Sequence, residues 1–268
     1  MKKILKNKKI LIGIIMVTFV IIIAIISIFY TPNDPYLVNL SVKFSNPNQK
    51  FLLGTDQLGR CVLSRLMVAT TYSVFLSFSI LVILIVISLI IGITSIYFGG
   101  IYNSIISIIC DIFMIFPPFA LALVLNNILG IGIKNFVIAI VSSMWVWFVK
   151  IIRTYVQVEL KKEYIVASKI AGCTNIKLIF YHIFPNIFPS LLVYFSTNIA
   201  SIILIISAFS FLGMGFSASI PEWGGMLTQG KAYFYSSPSL IIFPGLCILF
   251  TTTGFNLLSE GLKEYLES

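Results

Sequence analysis

The chain has 268 residues and a formal net charge of +9, yet only 10% of its residues are charged and 59% are hydrophobic. A water-facing surface normally contains about 25–35% charged residues, so this composition excludes an ordinary soluble domain. The positive charge does not indicate nucleic-acid binding, because the Lys and Arg residues flank apolar runs and form no basic patch interleaved with aromatics. The prediction is an all-α, polytopic membrane protein in contact with lipid.

Six segments approach the roughly 20 mainly apolar residues that a spanning helix needs. The third contains one acid and a Pro pair, and the fourth is short but ends at Lys150, whose side chain can reach the interface. In chain order, the predicted spans are residues 10–30, 72–98, 101–128, 135–149, 187–214 and 239–259.

The N-terminal sequence MKKILKNKK precedes an apolar run of about 20 residues, longer than the 7–15 residues of a signal-peptide core, and no small-residue cleavage site follows. It is therefore predicted to be a retained first helix. With six spans both termini lie on one side, and if that side is the cytoplasm, inner segments hold twelve Lys or Arg against six in outer segments. The positive-inside rule favours this orientation. The predicted division is residues 1–71 (tail, first span and outer segment) and 72–268 (membrane core), with an inner loop at 151–186.

Asp111 is the only acid within a predicted span, and it lies six residues before Pro117-Pro118, which should distort the helix. Intramembrane acids usually face a bundle interior or a water path. Asp111 and Pro117 are thus candidates for the pathway or a subunit interface. In the plainer alternative, Asp111 is simply paired with another group near the inner headgroups. The depth of Asp111 in the span favours a structural or gating role over direct contact with the cargo.

The inner segment reads EYIVASKIAGCTNIKLIFYHIFPN over residues 163–186. The pattern predicts a short helix, a break at Gly172 and a second helix capped by Thr174 or Asn175. A projecting helix with small side chains suits a groove on another protein. An amphipathic helix resting on lipid headgroups is an equally good interpretation of the residues alone.

Five residues of this segment resemble the cytoplasmic loop of binding-protein-dependent ABC importer permeases, whose pattern is Glu-Ala-Ala, three residues, Gly, nine residues and Ile-x-Leu-Pro. They are Glu163, Ala167, Gly172, Ile183 and Pro185. The chain differs from the pattern at Ser168 and Phe184. The resemblance implies that this loop, including Tyr164 and Ser168, couples the chain to an ATPase subunit.

Further segments are similar to the C-type subunit of the branch of these permeases that transports dipeptides, oligopeptides and nickel. They are FLLGTDQLGRCVLSRL (51–66), SFLGMGFSASIPEWGGMLTQGK (210–231) and FNLLSEGLKEYL (255–266). Cys61 stands where the branch usually has Asp, and Ala69, Thr70 and Thr71 replace its Gly-Ala-Arg, so any specific role of that stretch is open.

The resemblance implies a type I ABC importer permease fold in a bacterial inner membrane, with cytoplasmic termini and no catalytic role. Implied partners are a second permease, two ATPases that bind ATP and Mg, and an extracytoplasmic binding protein. The implied cargo is di- or oligopeptides, with nickel or another chelated metal as the alternative. A self-sufficient secondary transporter is the rival class, but it would need more intramembrane ionisable residues than Asp111.

The outer segment 215–238 contains Glu222 and Trp223, which are candidates for contact with a docking protein, although Trp at a membrane boundary also serves as an anchor. The run from Gly225 to Ala232 resembles a P-loop until Ala232, which cannot ligate Mg²⁺, so no nucleotide site is predicted and its glycines are assigned to turns. The single histidine, His182, and the four scattered cysteines predict no metal site and no disulfide framework in this chain. No cofactor is expected to bind it.

Overall fold

The structure, a computed structural model, describes residues 7–130, 132–215 and 219–267. Within these ranges the regular elements are helices, apart from an isolated Thr55–Cys61 bridge; residues 30–61 are otherwise turns and irregular chain, with a 3-10 turn at Leu40–Val42. The helices are α1 Lys8–Phe29, α2 Val62–Phe98, α3 Gly100–Met114, α4 Pro118–Leu129, α5 Ile133–Leu160, α6 Glu163–Ile170, α7 Asn175–Lys177, α8 Phe184–Phe211, α9 Trp223–Lys231 and α10 Ser239–Glu267. A π-helical turn, Leu178–Ile183, joins α7 to α8.

Five stretches are long and apolar enough to cross a membrane, and a sixth crossing exists if α3 and α4 form one span. These two helices meet at an angle of 87°. The break lies at the predicted place, because Pro118 is the first residue of α4 and Pro117 is its N-cap. Proline suits the first turn of a helix, whereas within a helix it removes a backbone hydrogen bond and favours a kink.

α2 begins earlier than predicted. Residues 62–71 were assigned to the outer segment, but they form the first turns of a 37-residue helix. At 1.5 Å per residue that helix is about 55 Å long, well beyond the roughly 30 Å of the hydrocarbon core. Its outer turns therefore extend past the membrane, and the proposed boundary at residue 71 falls inside α2.

The inner loop is shorter than the predicted range of 151–186. α5 continues through Leu160, and residues from Asn175 onward run without interruption into α8. Pro185 lacks an N–H, and the backbone accommodates it by a π-helical turn immediately before α8. Only residues 161–174, which contain α6, project as a loop.

The start of α1 and the end of α10 lie at the same end of the bundle. Lys9 at the start of α1 pairs with Glu264 at 2.7 Å and with Glu260 at 3.0 Å, both near the end of α10. Gly13 and Gly261 let the two backbones touch, since a Cβ on Gly13 would lie 2.6 Å from Leu258 N and one on Gly261 2.8 Å from Ile10 N. An even number of crossings follows.

The core lies where α2, α5 and α8 meet. Phe148 and Ile152 of α5 and Phe209 of α8 are fully buried there. Gly92 of α2 allows a close approach, because a Cβ at that position would lie 2.7 Å from the Ile152 side chain. This packing fixes the inner ends of α2 and α5, to which the projecting loop is attached.

Candidate functional site

The projecting loop has the predicted helix, glycine break and second helix. α6 ends at Ile170, and Gly172 follows with φ +82°. Its N–H bonds to Lys169 O and the next N–H bonds to Ser168 O, which satisfies carbonyls at the helix end. The site for a Cβ on Gly172 is empty to 4 Å, so glycine is needed there for its left-handed backbone and not for space.

Two polar contacts fasten this loop to the membrane helices. The Tyr164 hydroxyl donates to the Glu159 carboxylate at the end of α5, and the Tyr97 hydroxyl at the end of α2 donates to Asn175 Oδ1 at 2.6 Å. Partial desolvation, and then the bond to Glu159, raise the pKa of Tyr164 to about 12. The phenol is therefore protonated at neutral pH and can donate. Glu159, whose side chain is 5% exposed, also pairs with Lys162 at 2.9 Å.

Apolar residues divide this loop into an inner and an outer face. Ile165 and Leu178 are fully buried against the bundle, and Ile183 is buried in the π-helical turn. By contrast, Ile170 is 83% exposed and Ile176 is 71% exposed. The loop and the turns that follow it are therefore held by one apolar face and present a second one, Ile170 and Ile176, that no described residue covers.

The remaining loop residues singled out from the sequence lie around this exposed face. Glu163 opens α6 in its first turn, and Ala167 is exposed one turn later. The half-buried Ser168 donates its hydroxyl to Tyr164 O at 2.7 Å, inside the helix. Pro185 is exposed at the start of α8. Glu163, Ala167 and Ser168 thus belong to the projecting loop, whereas Pro185 lies beyond it in the first turn of α8.

Asp111 forms an ion pair, as the plainer alternative expected. Its Oδ1 lies 3.1 Å from Lys150 Nζ on α5, and both side chains are about half exposed. The neighbouring Arg153 is buried and donates to Ser95 Oγ and to Asn103 Oδ1. These side chains line a polar cavity of about 130 Å³ between α3 and α5. Pro117 lies apart from it, at the bend between α3 and α4.

The expected contact of Glu222 and Trp223 with a docking protein does not agree with their positions. Each is only 1% exposed. Glu222 caps α9 by accepting from Gly224 N at 2.9 Å and Gly225 N at 2.8 Å, and burial raises the pKa of its carboxyl. Because α9 packs against α2, α8 and α10, both side chains face the interior of the bundle.

The glycines of the P-loop-like run do not form turns, in contrast to the prediction. Gly225 and Gly230 lie in α9, where a Cβ on Gly230 would sit 2.9 Å from Leu240 O, whereas one on Gly225 would meet only Glu222 Oε2 at 3.7 Å. Gly230, and Gly224 just before the run, allow the backbone of α9 to touch its neighbours, since a Cβ on Gly224 would sit 2.3 Å from Ser207 O. A helix packed against other helices in this way is not a phosphate-binding loop.

One functional cluster was missed by sequence reasoning. Asp56 Oδ2 lies 2.7 Å from Arg60 Nε and 3.6 Å from Arg65 Nε, and all three side chains are at most 7% exposed. Both guanidinium groups also donate to Gln229 Oε1 of α9. The only signal was an Asp and an Arg four residues apart in the outer segment. This outer cluster ties the segment before α2 to α9.

The chain is similar in sequence to known membrane transport proteins. Residues 84–268 match the family described as "Binding-protein-dependent transport system inner membrane component". The chain is 31% identical over 255 residues to the nickel transport system permease protein NikC of Escherichia coli (strain K12), covering 95% of this chain and 92% of NikC.

Two further relatives cover the chain almost completely. It is 32% identical to the dipeptide transport system permease protein DppC of Alkalihalophilus pseudofirmus, over 99% of this chain and 88% of that protein. It is also 32% identical to the metal-staphylopine import system permease protein CntC of Staphylococcus aureus (strain NCTC 8325 / PS 47), over 98% of this chain and 91% of that protein.

Proposed function

The chain belongs to the family of inner-membrane components of binding-protein-dependent transport systems, and from this premise we propose that it forms one half of a translocation path for di- or oligopeptides. The family makes it a multi-pass inner-membrane permease subunit of an ABC importer, in the branch that handles peptides, nickel and metallophores, and a non-catalytic one. The proposed partners are a second permease subunit, two ATPase subunits that carry ATP and Mg, and an extracytoplasmic binding protein.

The observation that carries the coupling assignment is the exposed apolar tip formed by Ile170 in the loop 161–174 and Ile176 just after it. Their side chains are 83% and 71% exposed, which is costly for side chains of this size unless a partner covers them. A short helix with a bare apolar face fits a groove on a second protein. We therefore assign the tip, with Glu163, Tyr164, Ala167, Ser168 and Gly172, to contact with an ATPase subunit.

The contacts behind the tip provide a way to transmit motion. A coupling element must keep its shape while the protein changes between two states. The bonds of Tyr164 to Glu159 and of Asn175 to Tyr97 connect the loop to the inner ends of α5 and α2. When ATP binding on the partners moves the tip, these two helices move with it, and the path between the permeases opens to one side or the other.

The orientation follows from the same assignment. ATP is cytoplasmic, so the loop and the two chain ends beside it face the cytoplasm, in agreement with the charge count. α9 and the outer cluster then face the extracytoplasmic side, where a binding protein would deliver cargo. The Asp111–Lys150 pair, at membrane depth on a half-exposed face, is assigned to the contact with the second permease or to gating.

Nickel or a metal chelate is the second candidate cargo. The relatives named for nickel and for metal-staphylopine are as similar to this chain as those named for dipeptides. Purification of the tagged chain from its host in mild detergent, with identification of its partners by mass spectrometry and an ATPase assay, tests the assignment. Recovery of two ATPases, a second permease and a peptide-binding protein is expected. A nickel-binding protein in the complex would overturn the peptide assignment, and a lone chain would contradict the whole proposal.

Substitution of Ala167 by arginine tests the coupling tip directly. Ala167 is exposed, so Ala167→Arg leaves the fold intact while placing a long charged side chain on the docking face. Uptake and the association with ATPase subunits should both be abolished, while membrane insertion is unchanged; Gly172→Asp should act in the same way. The matched control is Ala232→Arg, the same change at an exposed alanine beside α9 at the other end of the bundle. Normal uptake in Ala167→Arg and Gly172→Asp would refute the assignment.

A further inference from the structure

Arg153 is a buried cation without an anionic partner among the described residues. It is 7% exposed, and its guanidinium donates to two neutral acceptors, Ser95 Oγ at 3.2 Å and Asn103 Oδ1 at 2.9 Å, but forms no ion pair. A guanidinium has five N–H donors, so others remain for a further acceptor. A charge withdrawn from water is costly unless an opposite charge compensates it. We therefore expect the counter-ion of Arg153 to come from outside this chain.

The polar cavity between α3 and α5 provides a place for that counter-ion. It is lined by Arg153, Lys150 and Asp111. Lys150 and Asp111 pair at 3.1 Å with side chains 48% and 61% exposed, so the cavity is open to the outside of the chain. The three charges sum to +1, which one monovalent anion neutralises. The volume of about 130 Å³, the space of about four water molecules, suits a single phosphate or carboxylate group and is too small for a peptide.

The cavity lies at the level of the lipid headgroups on the side of the projecting loop. No charged residue occurs on α5 between Lys134 and Lys150, a stretch of about 24 Å that accounts for most of the roughly 30 Å hydrocarbon core. Lys150 and Arg153 therefore lie where this core ends and the phosphate groups begin. Carboxylates on spanning helices are rare at this depth because they are costly there, whereas every phospholipid has a phosphodiester with one negative charge at this level.

The surface of α3 beside the cavity is apolar. Ile108 and Ile112 are 59% and 51% exposed, and each directly follows a residue that lines the cavity, Ser107 or Asp111. Residues four apart lie on one face of a helix, so the two isoleucines form a continuous strip. An acyl chain attached to an anion in the cavity can cover this strip, whereas a free inorganic ion cannot.

We propose that this cavity binds the phosphodiester group of one acidic phospholipid from the leaflet on the side of the projecting loop. Lys150 and Arg153 donate to its oxygens, and an acyl chain lies along α3 at Ile108 and Ile112. Basic pockets between membrane helices bind acidic headgroups in this way. Acidic lipid is preferred because a zwitterionic headgroup brings a cation of its own to a positive cavity. Of the two roles proposed for the Asp111–Lys150 pair, a bound lipid agrees with gating and excludes burial against the second permease.

Native mass spectrometry of the full-length chain in detergent, with equal amounts of phosphatidylglycerol and phosphatidylcholine, tests this proposal. One phosphatidylglycerol per chain should be retained in excess over phosphatidylcholine. Lys150→Gln should lower this excess about fivefold, the factor that one cation contributes beside anionic lipid, whereas Lys150→Arg should preserve it. The matched control is Lys134→Gln, which removes the same charge from an exposed position at the other end of α5 and should leave the excess unchanged.

Asp111→Asn separates a bound anion from an ion pair that only stabilises the fold. Removal of this carboxylate raises the charge of the cavity to +2, so retention of phosphatidylglycerol should increase, opposite to the effect of Lys150→Gln. The proposal is overturned if Asp111→Asn and Lys150→Gln both reduce retention, if Lys134→Gln reduces it equally, or if the parent chain shows no preference. Displacement of the lipid by a large excess of inorganic phosphate would show that the site binds a free anion and would overturn the lipid assignment.

The complete importer in vesicles that contain phosphatidylglycerol provides the remaining comparison. A photocrosslinker at Thr154, which is exposed at the rim of the cavity, should form adducts with phospholipid. An adduct with the second permease would show that protein covers the cavity. That result would overturn the lipid assignment and leave the proposed importer function intact.

Discussion

The two ends of the bundle differ in the kind of side chain that they bury or expose. At the outer end, Asp56, Arg60 and Arg65 are buried with their charges paired, and Gln229 joins the cluster from α9. At the inner end, Ile170 and Ile176 project from the loop with most of their surface in water. The buried outer cluster has its polar partners within this chain, whereas Ile170 and Ile176 at the inner end are apolar and are covered by no described residue.

This difference teaches where each region derives its stability. Paired charges out of water are costly to separate, so the outer end resists change and keeps α9 against the bundle. The inner loop is fastened at its base by Ile165 and by Tyr164, and its tip adds little to the fold. Substitutions at the outer end should therefore alter stability, and substitutions at the inner tip should alter assembly.

The largest effect is expected for Asp56→Ala. Removal of the shared carboxylate leaves two buried guanidinium groups without their anion, and the free energy of unfolding should fall by about 3–5 kcal/mol. The thermal midpoint of the purified chain in detergent measures this loss. The control is Asp34→Asn, in the same outer segment but exposed, which should change little. Equal midpoints for Asp56→Ala and the parent chain would show that the outer cluster does not stabilise the fold.

A smaller effect is expected for Gly224→Ala. Its methyl group would lie 2.3 Å from Ser207 O, so α9 must shift, at a cost of about 1–3 kcal/mol. The adjacent Gly225 is the matched control, because a Cβ there meets only Glu222 Oε2 at 3.7 Å. Gly225→Ala should be neutral or stabilise the helix by up to about 1 kcal/mol. Thermal midpoints of the two variants test the pair, and similar losses in both would contradict the close approach of α9 to α8.

The smallest effect on stability is expected for Ile170→Ala. Because Ile170 is 83% exposed, the free energy of unfolding should change by less than about 0.5 kcal/mol. The amount of ATPase that copurifies with the chain should nevertheless fall. Ile165→Ala, in the same helix but fully buried, should cost about 2–5 kcal/mol. If Ile170→Ala destabilised the chain as much as Ile165→Ala does, the tip would belong to the core and the contrast between the two ends would be lost.

Much of the inner loop was predictable because its signals are local. A helix break needs a residue that tolerates a left-handed backbone, and Gly172 lies at that break. Likewise, the Pro pair at 117–118 predicted a distortion, and the helices bend there by 87°. The lengths of α2, α5 and α10 were underestimated because hydropathy reports contact with lipid, and a helix can continue into water without any change in its hydrogen bonds.

The amino-acid sequence by itself determined the all-α class, the apolar spans, the bend at Pro117-Pro118 and the glycine break of the inner loop, since each depends on residues that are neighbours along the chain. Only the tertiary structure decided that Arg60 meets Gln229, that Trp223 is buried and that Gly224 touches Ser207. These pairs are separated by many residues, and their contacts depend on how α9 folds back among the long helices. A local pattern can mark a residue as polar or small, but the packing of distant helices determines what that residue touches.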